Sequence, residues 1–415
     1  MGTSHARAAS WLPQPGLAAG DSTTDPYLSA LIAPLPLFLA VGTLLLVVVG
    51  GVWAKLGNRT VGFLRDQRPL KNGEAPSVSV VIAARDEERS IEEALRSVLR
   101  QEYEQFEVIV VDDRSRDATG AILDQVAVKQ PRLHVVHVAE LPAGWLGKNH
   151  ALHCGTQRAR GDVLLFTDAD VVMEPTALAR AVGFLLREEL DHLAVAPRVV
   201  TRGALLDLVV GTFSIFFGQY SRPWKARDPR SKQHIGIGAF NLLRTEVYGA
   251  VGGHRPIAMR PDDDMKLGKL VKKNGYRQDV LFGRGMISVE WYASVRELIR
   301  GLEKNSFAAV DYSLPAVLAS SVALLLFNVW PLVALAVTGG VTWLLNALIV
   351  LLMALLYADS TRYSGSRPEL GVGFPLATVI FVYILWRSTY LTLVNRGIRW
   401  RGTHYPLEEL RANRV

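Results

Sequence analysis

Long uncharged apolar blocks are the feature that most constrains how this chain of 415 residues can fold. The first runs from Tyr27 to Val52, the second from Pro315 to Ala358 and the third from Gly371 to Trp386. A helix needs about 20 apolar residues to cross roughly 30 Å of bilayer hydrocarbon, so the first and third blocks fit one helix each. The second is long enough for a hairpin of two helices that turns near Gly339 and Gly340. The pattern therefore predicts an integral membrane protein.

Basic residues set the expected orientation of these helices. Lys and Arg are frequent just after the first block, whereas few precede it, and no basic lead-in of a cleaved signal peptide is present. The sequence therefore predicts an uncleaved anchor and a cytoplasmic middle segment. A second basic cluster follows Asn395 and would lie outside if all four candidate helices crossed. Either one C-terminal segment is re-entrant or interfacial, or the charge rule fails there.

The remaining patterns divide the chain into segments. Near its C-terminal third, Val295, Leu298 and Leu302 share one helix face with charged residues opposite, which is typical of an amphipathic interfacial helix. The apolar stretch Leu205–Phe217 is short for a span, and an interfacial helix and a buried core helix both explain it. The expected segments are an N-terminal tail at 1–26, an anchor at 27–54, an α/β domain at 55–290, the interfacial helix at 291–312, two or three membrane helices at 313–394 and a basic tail at 395–415.

In the middle domain, short β-branched runs alternate with helical patterns. The runs are Ser77–Ala84, Phe106–Asp112, Leu133–Val138 and Asp162–Thr167. This alternation predicts a parallel α/β sheet. Ligands of such sheets bind beyond the carboxyl ends of the strands, and acidic residues gather at those ends. The sequence therefore predicts a binding site at that edge.

Asp168 and Asp170 come directly after the fourth run. Two carboxylates one residue apart can both approach one hard cation, and Mg²⁺ commonly takes one or two carboxylates together with water and phosphate oxygens. An Asx-type turn explains the same residues without a metal. The acidic residues at earlier strand ends favour the metal site.

Three consecutive aspartates, Asp262, Asp263 and Asp264, stand in the segment RPDDDM. One explanation is a solvated loop that caps a helix beginning near Met265. The other is a general base, because neighbouring carboxylates raise one another's pKa and a carboxylate of raised pKa accepts a proton more readily.

Four segments, taken in order, resemble the landmarks of family 2 glycosyltransferases with the GT-A fold. They are VSVVIAARDEE, VIVVDDRSRDAT, LLFTDADV and RPDDDMKLGKL, and the resemblance spans Val78 to Lys273. Ordered motifs at successive strand ends are more specific than any one of them. The resemblance implies a GT-A (Rossmann-like α/β) catalytic domain inserted between N-terminal and C-terminal membrane helices. It also implies an inverting sugar transfer from a nucleotide-diphosphate sugar.

The resemblance assigns roles to residues at the strand ends. Ala84, Glu87 and Asp113 would contact the nucleotide-sugar, the last two on its uracil and ribose side. Asp168 would also lie at the donor, and Asp170 with Asp168 would hold a divalent metal, Mg²⁺ or Mn²⁺, on the diphosphate. The implied donor is UDP-linked.

The resemblance also makes Asp264 the general base, preceded by Asp263 where the family often has glutamate. A base is needed because the acceptor hydroxyl loses its proton as it attacks the anomeric carbon. One departure from the family pattern is Asp86, where asparagine is more usual, and it puts the local contact in doubt. With the other motifs present, the three aspartates are interpreted as catalytic.

Two further segments carry weaker signals. GWLGKNHAL resembles a tryptophan-glycine-lysine segment of membrane-bound family members, and its Lys148 is either a ligand of the diphosphate or a surface lysine. GIGAFNLLR is glycine-rich but does not follow the first strand of a βαβ unit, so no nicotinamide loop is expected. In the resembling family this stretch lies against the donor sugar and the acceptor.

The membrane features indicate which branch of the family the chain resembles. Processive polysaccharide synthases carry a Q-x-x-R-W motif before the next membrane helix, and 291–310 lacks it. RGIRW, at Arg396–Trp400, imitates the motif after the last apolar block and is interpreted as a juxtamembrane anchor. The whole pattern is similar to ceramide glucosyltransferases and to bacterial hopanoid- or carotenoid-associated glycosyltransferases, which implies a lipid hydroxyl as acceptor.

Two alternatives stay open. The acceptor of a polyprenyl-phosphate glycosyltransferase is already an anion and needs no base, so an intact base motif favours a hydroxyl. The second alternative is a non-catalytic membrane protein that only binds nucleotide. It does not explain why the acidic residues of all four motifs are present. The expected partners are a nucleotide-sugar, a lipid and the membrane, and no nucleic acid is expected.

Overall fold

The structure is a computed structural model that describes residues 34–70 and 75–415. The expected tail, 1–26, and the start of the expected anchor, 27–33, lie outside the described residues. The strands are β1 (Val78–Ala84), β2 (Phe106–Asp113), β3 (Leu133–Val138), β4 (Val163–Asp168), β5 (Val171–Met173), β6 (His192–Ala196), β7 (Arg198–Val199), β8 (Asn241–Arg244), β9 (Gln278–Phe282), β10 (Ile287–Val289), β11 (Gly397–Trp400) and β12 (Thr403–Pro406). The α-helices are α1 (Leu35–Arg59), α2 (Ile91–Leu99), α3 (Thr119–Lys129), α4 (Gly147–Thr156), α5 (Ala177–Arg187), α6 (Ala204–Ser221), α7 (Thr245–Ala250), α8 (Asp263–Lys273), α9 (Val295–Ala309), α10 (Leu314–Leu324), α11 (Trp330–Val337), α12 (Gly340–Ser364), α13 (Phe374–Val394) and α14 (Leu407–Ala412).

A sheet with the strand order β3-β2-β1-β4-β8-β6-β9 forms the centre of the domain between α1 and α9. β1 to β4 are parallel, which confirms the predicted α/β class. The expectation of a wholly parallel sheet is wrong, because β8 is antiparallel to both β4 and β6. Asn241 pairs with Phe166, so β8 begins at the edge where β4 ends. The chain returns there through the glycine-rich segment that precedes β8.

Helices cover both faces of this sheet, which explains why β1 and β2 are almost continuously apolar and buried. On one face α2 buries Ile91, Leu95 and Val98, which recur at helical spacing, against the strands. On the other face α4, α7 and α8 build a second core around Leu152 and Leu267. The carboxyl ends of β1, β2 and β4 remain open between these layers.

Within the described residues, five helical segments are long and apolar enough to cross a membrane: 35–59, 204–225, 314–337, 340–364 and 368–394. Apolar side chains on their outer surfaces stay exposed, and Leu45 and Leu344 are 60% and 61% exposed. The predicted hairpin turning near the glycines is confirmed, since α11 ends at Val337 and α12 begins at Gly340. α6 is longer than the apolar stretch Leu205–Phe217, and its N-terminal half is buried.

The expected amphipathic helix, α9, packs lengthwise against α13. Leu298 and Leu302 are buried, and Arg387 donates to Glu303 at 2.6 Å. The segment before α13 is also held beside the domain, because the Arg367 N–H donates to Asp207 at 3.0 Å. The segment before α13 is therefore held by α6, and the C-terminal half of α13 is held by α9.

The C-terminal segment folds back onto the α/β domain. β11 and β12 form an antiparallel hairpin, and the short α14 follows. Ile398, Tyr405 and Leu410 are buried in one cluster with Leu146 of the domain and Phe307 of α9. RGIRW, interpreted from the sequence as a juxtamembrane anchor, therefore forms a strand that packs on the domain and on α9, and its contact with the membrane stays a prediction. The sequence places this segment after an apolar helix, and only the tertiary packing shows where it returns.

Candidate active site

The acids after β4 lie at the centre of the open edge. The Asp168 carboxylate forms an ion pair with the Lys148 amine at 2.8 Å. Burial raises the pKa of Asp170 to about 7, and the neighbouring charges of Asp168 and Glu87 add to that shift. The edge therefore holds acidic groups that repel one another.

The acids at the start of α8 face the same edge. Asp263 lies 3.7 Å from the Lys148 amine and is 5% exposed. Asp264 accepts two backbone N–H groups, from Gly238 at 2.8 Å and from Met265 at 2.7 Å. Burial, and then the charge of Asp263, raises the pKa of Asp264 to about 7.

Asp262 differs from its two neighbours. It pairs with the buried guanidinium of Arg260 at 2.8 Å and with the Lys266 amine at 3.3 Å. These contacts fix the first turn of α8, which begins two residues before the expected Met265. The three aspartates therefore divide into one with structural partners, Asp262, and two that face the site.

Lys148 was open to two interpretations from sequence, and the structure places it inside the site. Its amine lies between Asp168 of β4 and Asp263 of α8. Burial alone would lower the pKa of Lys148, but the charges of Asp168, Asp263 and Asp264 raise it, so the amine is a cation at neutral pH. Lys148 is therefore a residue of the site and not a surface lysine.

The residues expected on the nucleotide side lie at the ends of β1 and β2. Ala84 pairs with Asp112 in the sheet, next to Asp113. Asp113 is 3% exposed and accepts from Arg114 at 2.7 Å. Glu87 is half-buried and pairs with Arg401, and burial is the largest cause of its raised pKa. The structure thus brings Ala84, Glu87 and Asp113 to the edge that carries the acids.

Sequence reasoning missed three residues that the C-terminal hairpin and α9 bring to this edge. Arg401 donates to Glu87, and the Lys304 amine lies 3.5 Å from the centre of the Trp400 ring. Burial, and then the charge of Lys148, lowers the pKa of Lys304 to about 7. The sequence signal that points to this hairpin is RGIRW, although it follows the last apolar block of the chain.

A cavity of about 600 Å³ leads from the acids into the apolar helices. Asp168, Asp170 and Asp264 line its polar end, whereas Asp263 does not line it. Its walls are mostly apolar side chains and glycines from α1, α6, α12 and the π-helical turn between α10 and α11, including Val47, Gly50, Phe213, Gly218, Phe327, Met353 and Leu356.

The acids fit a divalent cation that takes most of its ligands from elsewhere. Burial, and then repulsion from Asp168, raises the pKa of Asp170, and a bound cation would relieve that repulsion. Across 34–70 and 75–415, no three His, Cys, Asp or Glu side chains are placed to hold a metal among themselves. Two carboxylates completed by water and diphosphate oxygens are a common ligand set for Mg²⁺.

The comparisons with known proteins identify the domain. A family model described as "Glycosyl transferase family 2" matches residues 79–252. The chain contains a family 2 glycosyltransferase domain. The resemblance of the ordered motifs to this family is thereby confirmed. The matched residues, 79–252, include the site residues at the ends of β1, β2 and β4. They do not include the α8 acids or the C-terminal hairpin.

Two staphylococcal relatives are named 4,4'-diaponeurosporenoate glycosyltransferase. The Staphylococcus haemolyticus protein is 26% identical over 253 residues, which cover 58% of this chain and 64% of that protein. The Staphylococcus aureus (strain MRSA252) protein is 24% identical over 348 residues, which cover 80% of this chain and 89% of that protein. This second match extends beyond the glycosyltransferase domain.

A solved structure shares the fold. The mannosyltransferase PcManGT from Pyrobaculum calidifontis, in complex with GDP-Man and Mn²⁺, aligns with a TM-score of 0.53 at 19% identity. The alignment covers 88% of this chain and 99% of that one. It confirms the predicted GT-A fold of the glycosyltransferase domain.

Proposed function

We propose that the chain is an inverting enzyme that transfers a sugar from a nucleotide-diphosphate sugar to a hydroxyl group of a membrane lipid. The cavity carries this proposal, because one end is lined by Asp170 and Asp264 and most of the remaining wall by apolar side chains, with polar residues such as the Lys55–Asp359 ion pair among them. An apolar chain that enters between the helices would bring its polar end to the acids. Apolar walls with a few convergent polar groups are typical of ligand sites.

Asp264 is the proposed general base. It lines the acceptor cavity, whereas the more deeply buried Asp263 points toward Lys148. The Gly238 and Met265 N–H groups fix its carboxylate, and its raised pKa favours proton uptake. As the acceptor oxygen bonds to the anomeric carbon, the hydroxyl proton passes to Asp264 and the sugar–phosphate bond breaks.

The donor diphosphate is proposed to lie beside Asp168 and Asp170. These two carboxylates would hold Mg²⁺ or Mn²⁺, which stabilises negative charge on a leaving diphosphate. Lys148 orients Asp168 and adds a fixed positive charge at the same place. Ala84, Glu87 and Asp113 would bind the nucleoside, with UDP as the expected nucleotide.

The acceptor class follows from charge. A polyprenyl phosphate would bring a second anion to Asp264, and like charges repel, so a neutral hydroxyl fits the end of the cavity better. Nucleotide binding alone does not explain a carboxylate at the end of an apolar cavity. The names of both staphylococcal relatives specify diaponeurosporenoate, so a lipid carboxylate belongs in any acceptor panel.

The membrane arrangement is proposed from contacts at the helix ends. Arg284 of the α/β domain donates to the Thr361 carbonyl at 3.1 Å, so α12 returns to the side from which α10 leaves. α1 and the hairpin of α10 to α12 would cross the membrane, while α9 and α13 lie along its surface. This places 395–415 with the domain in the cytoplasm, at a bacterial inner membrane. The basic tail then agrees with the charge rule.

Incorporation of label into lipid tests the function. Full-length protein in bilayer discs made from bacterial lipid extract would be incubated with labelled UDP- and GDP-sugars and Mn²⁺, and the lipid extracted. Label in a lipid that resists mild acid, and whose sugar stays on the alcohol after mild alkali removes any ester-linked acyl chains, supports transfer to a hydroxyl. Label in an acid-labile lipid that resists mild alkali points to a polyprenyl phosphate, and release of the sugar itself by mild alkali points to a carboxylate acceptor. Label only in free sugar rejects lipid transfer.

A further inference from the structure

The tip of the C-terminal hairpin has an unusual backbone for its sequence. Trp400 pairs with Thr403, so Arg401 and Gly402 form a two-residue loop, and both have positive φ, 47° and 78°. Such loops favour Asn-Gly, because a side chain other than Asn, Asp or Gly is strained at positive φ. The chain places an arginine there at a cost in backbone energy. A functional contact at the tip is a reason to retain it.

The contact that this strained tip makes is with the nucleotide side of the site. Arg401 donates to Glu87, which follows β1 and is half-buried. Charge-assisted hydrogen bonds of this kind are stronger than neutral ones and fix the direction of a carboxylate.

Tyr405 makes a second contact between the hairpin and the site. The Tyr405 hydroxyl accepts the N–H of Gly147 at 3.2 Å. Gly147 is the first residue of α4, and the next residue, Lys148, pairs with Asp168. The hairpin therefore touches the site at Glu87 and at Gly147, which packs against the carboxylate of Asp113.

The hairpin is firmly attached to the helices beneath it. Ile398 and Tyr405 are each 4% exposed, in the cluster that includes Phe307 of α9, and Trp400 stacks over Lys304 of α9. The hairpin is thus a fixed structure, with only its tip at the edge.

We propose that the β11–β12 hairpin is the outer wall of the donor site and that Arg401 is a positioning residue, which directs Glu87 toward the nucleoside. This inference rests on the proposed function, because it needs a nucleotide to lie at the ends of β1 and β2. It gives RGIRW and the residue after it a role in donor binding, although they follow the last apolar helix.

The turn chemistry supplies a sharp test. Arg401→Asn removes the cation but gives the loop its favoured Asn-Gly sequence, so the hairpin should fold at least as well. Dissociation constants for UDP and GDP with Mn²⁺ would be measured on full-length protein in detergent, with the melting temperature and the acceptor KM. We expect nucleotide binding about tenfold weaker, an unchanged acceptor KM and an unchanged or higher melting temperature. Arg401→Lys, which keeps a cation, should recover part of the affinity.

The control is Arg414→Ala, which removes an exposed charge from the same tail. It should leave nucleotide affinity unchanged. Equal losses in Arg414→Ala and Arg401→Asn, or wild-type affinity in Arg401→Asn, would overturn the role of Arg401. If wild-type protein binds neither nucleotide, the proposed function fails, and that result is distinct from a failure confined to Arg401→Asn.

Discussion

The backbone N–H of Gly238 donates a hydrogen bond to the carboxylate of Asp264 across 2.8 Å. Close approach of this loop to α8 requires glycine, since a Cβ on Gly236 would lie 1.8 Å from the Asp264 carbonyl oxygen. A Cβ on Gly238 would lie 2.7 Å from Asp168. The segment GIGAF is therefore glycine-rich because it packs against the acids.

This contact determines what Asp264→Asn should do. An asparagine has one carboxamide oxygen, so it cannot accept both backbone N–H groups, and the unfolding free energy should fall by about 1–3 kcal/mol. Loss of the base should lower turnover by about 10²–10⁴-fold while nucleotide binding survives. Single-turnover transfer and nucleotide dissociation constants, measured on the folded fraction, separate the two effects.

Asp262→Asn is the matched control for that substitution. It leaves the buried Arg260 with only the longer contact to Asp311, at 3.4 Å, so stability should fall, whereas turnover per folded molecule should stay close to wild type. Near-normal transfer by Asp264→Asn together with a loss in Asp263→Asn would move the base to Asp263.

Asp170→Ala should affect the donor as well as the chemistry. Removing a carboxylate that would hold the cation should abolish Mn²⁺-stimulated nucleotide binding and transfer together. Titration of UDP with and without Mn²⁺ measures the coupling. A wild-type enzyme that keeps full turnover in excess chelator would rule out the metal.

The pH dependence should follow the raised pKa of Asp264. Its carboxyl is protonated below about pH 7 and then cannot take the acceptor proton, so turnover should rise between about pH 6 and pH 8. Saturating Mn²⁺ removes the contribution of Asp170, whose pKa is also raised to about 7. The residual turnover of Asp264→Asn should lack this rise, and a profile with the same rise in both proteins would assign it to another group.

Local patterns in the sequence predicted much of the fold and the site. Asp113 and Asp168 follow apolar strands, and the membrane helices are continuous apolar runs, so each could be predicted from its neighbours. The position of Arg401 could not, because 314 residues separate it from Glu87. Lys148 stayed ambiguous for the same reason, since its partners come from β4 and α8. The spacing of apolar residues and the composition of a segment carry no information about its contacts with distant segments.

Two glycines of α1 provide the most direct test of the central claim, that a lipid reaches Asp264 through the cavity. A Cβ at Gly42 or at Gly50 meets no atom within 4 Å, but only Gly50 lines the cavity. Gly42→Leu and Gly50→Leu raise helix propensity equally. A difference between their transfer rates therefore reports the effect of filling the cavity.

The decisive measurement is the rate of sugar transfer to lipid by these two variants, with nucleotide affinity measured beside it. Gly50→Leu should lower transfer on the order of 10-fold to 10²-fold, because the added side chain displaces the acceptor, and should leave nucleotide affinity unchanged. Gly42→Leu should match wild type in both. Wild-type transfer by Gly50→Leu would contradict entry of the acceptor through this cavity.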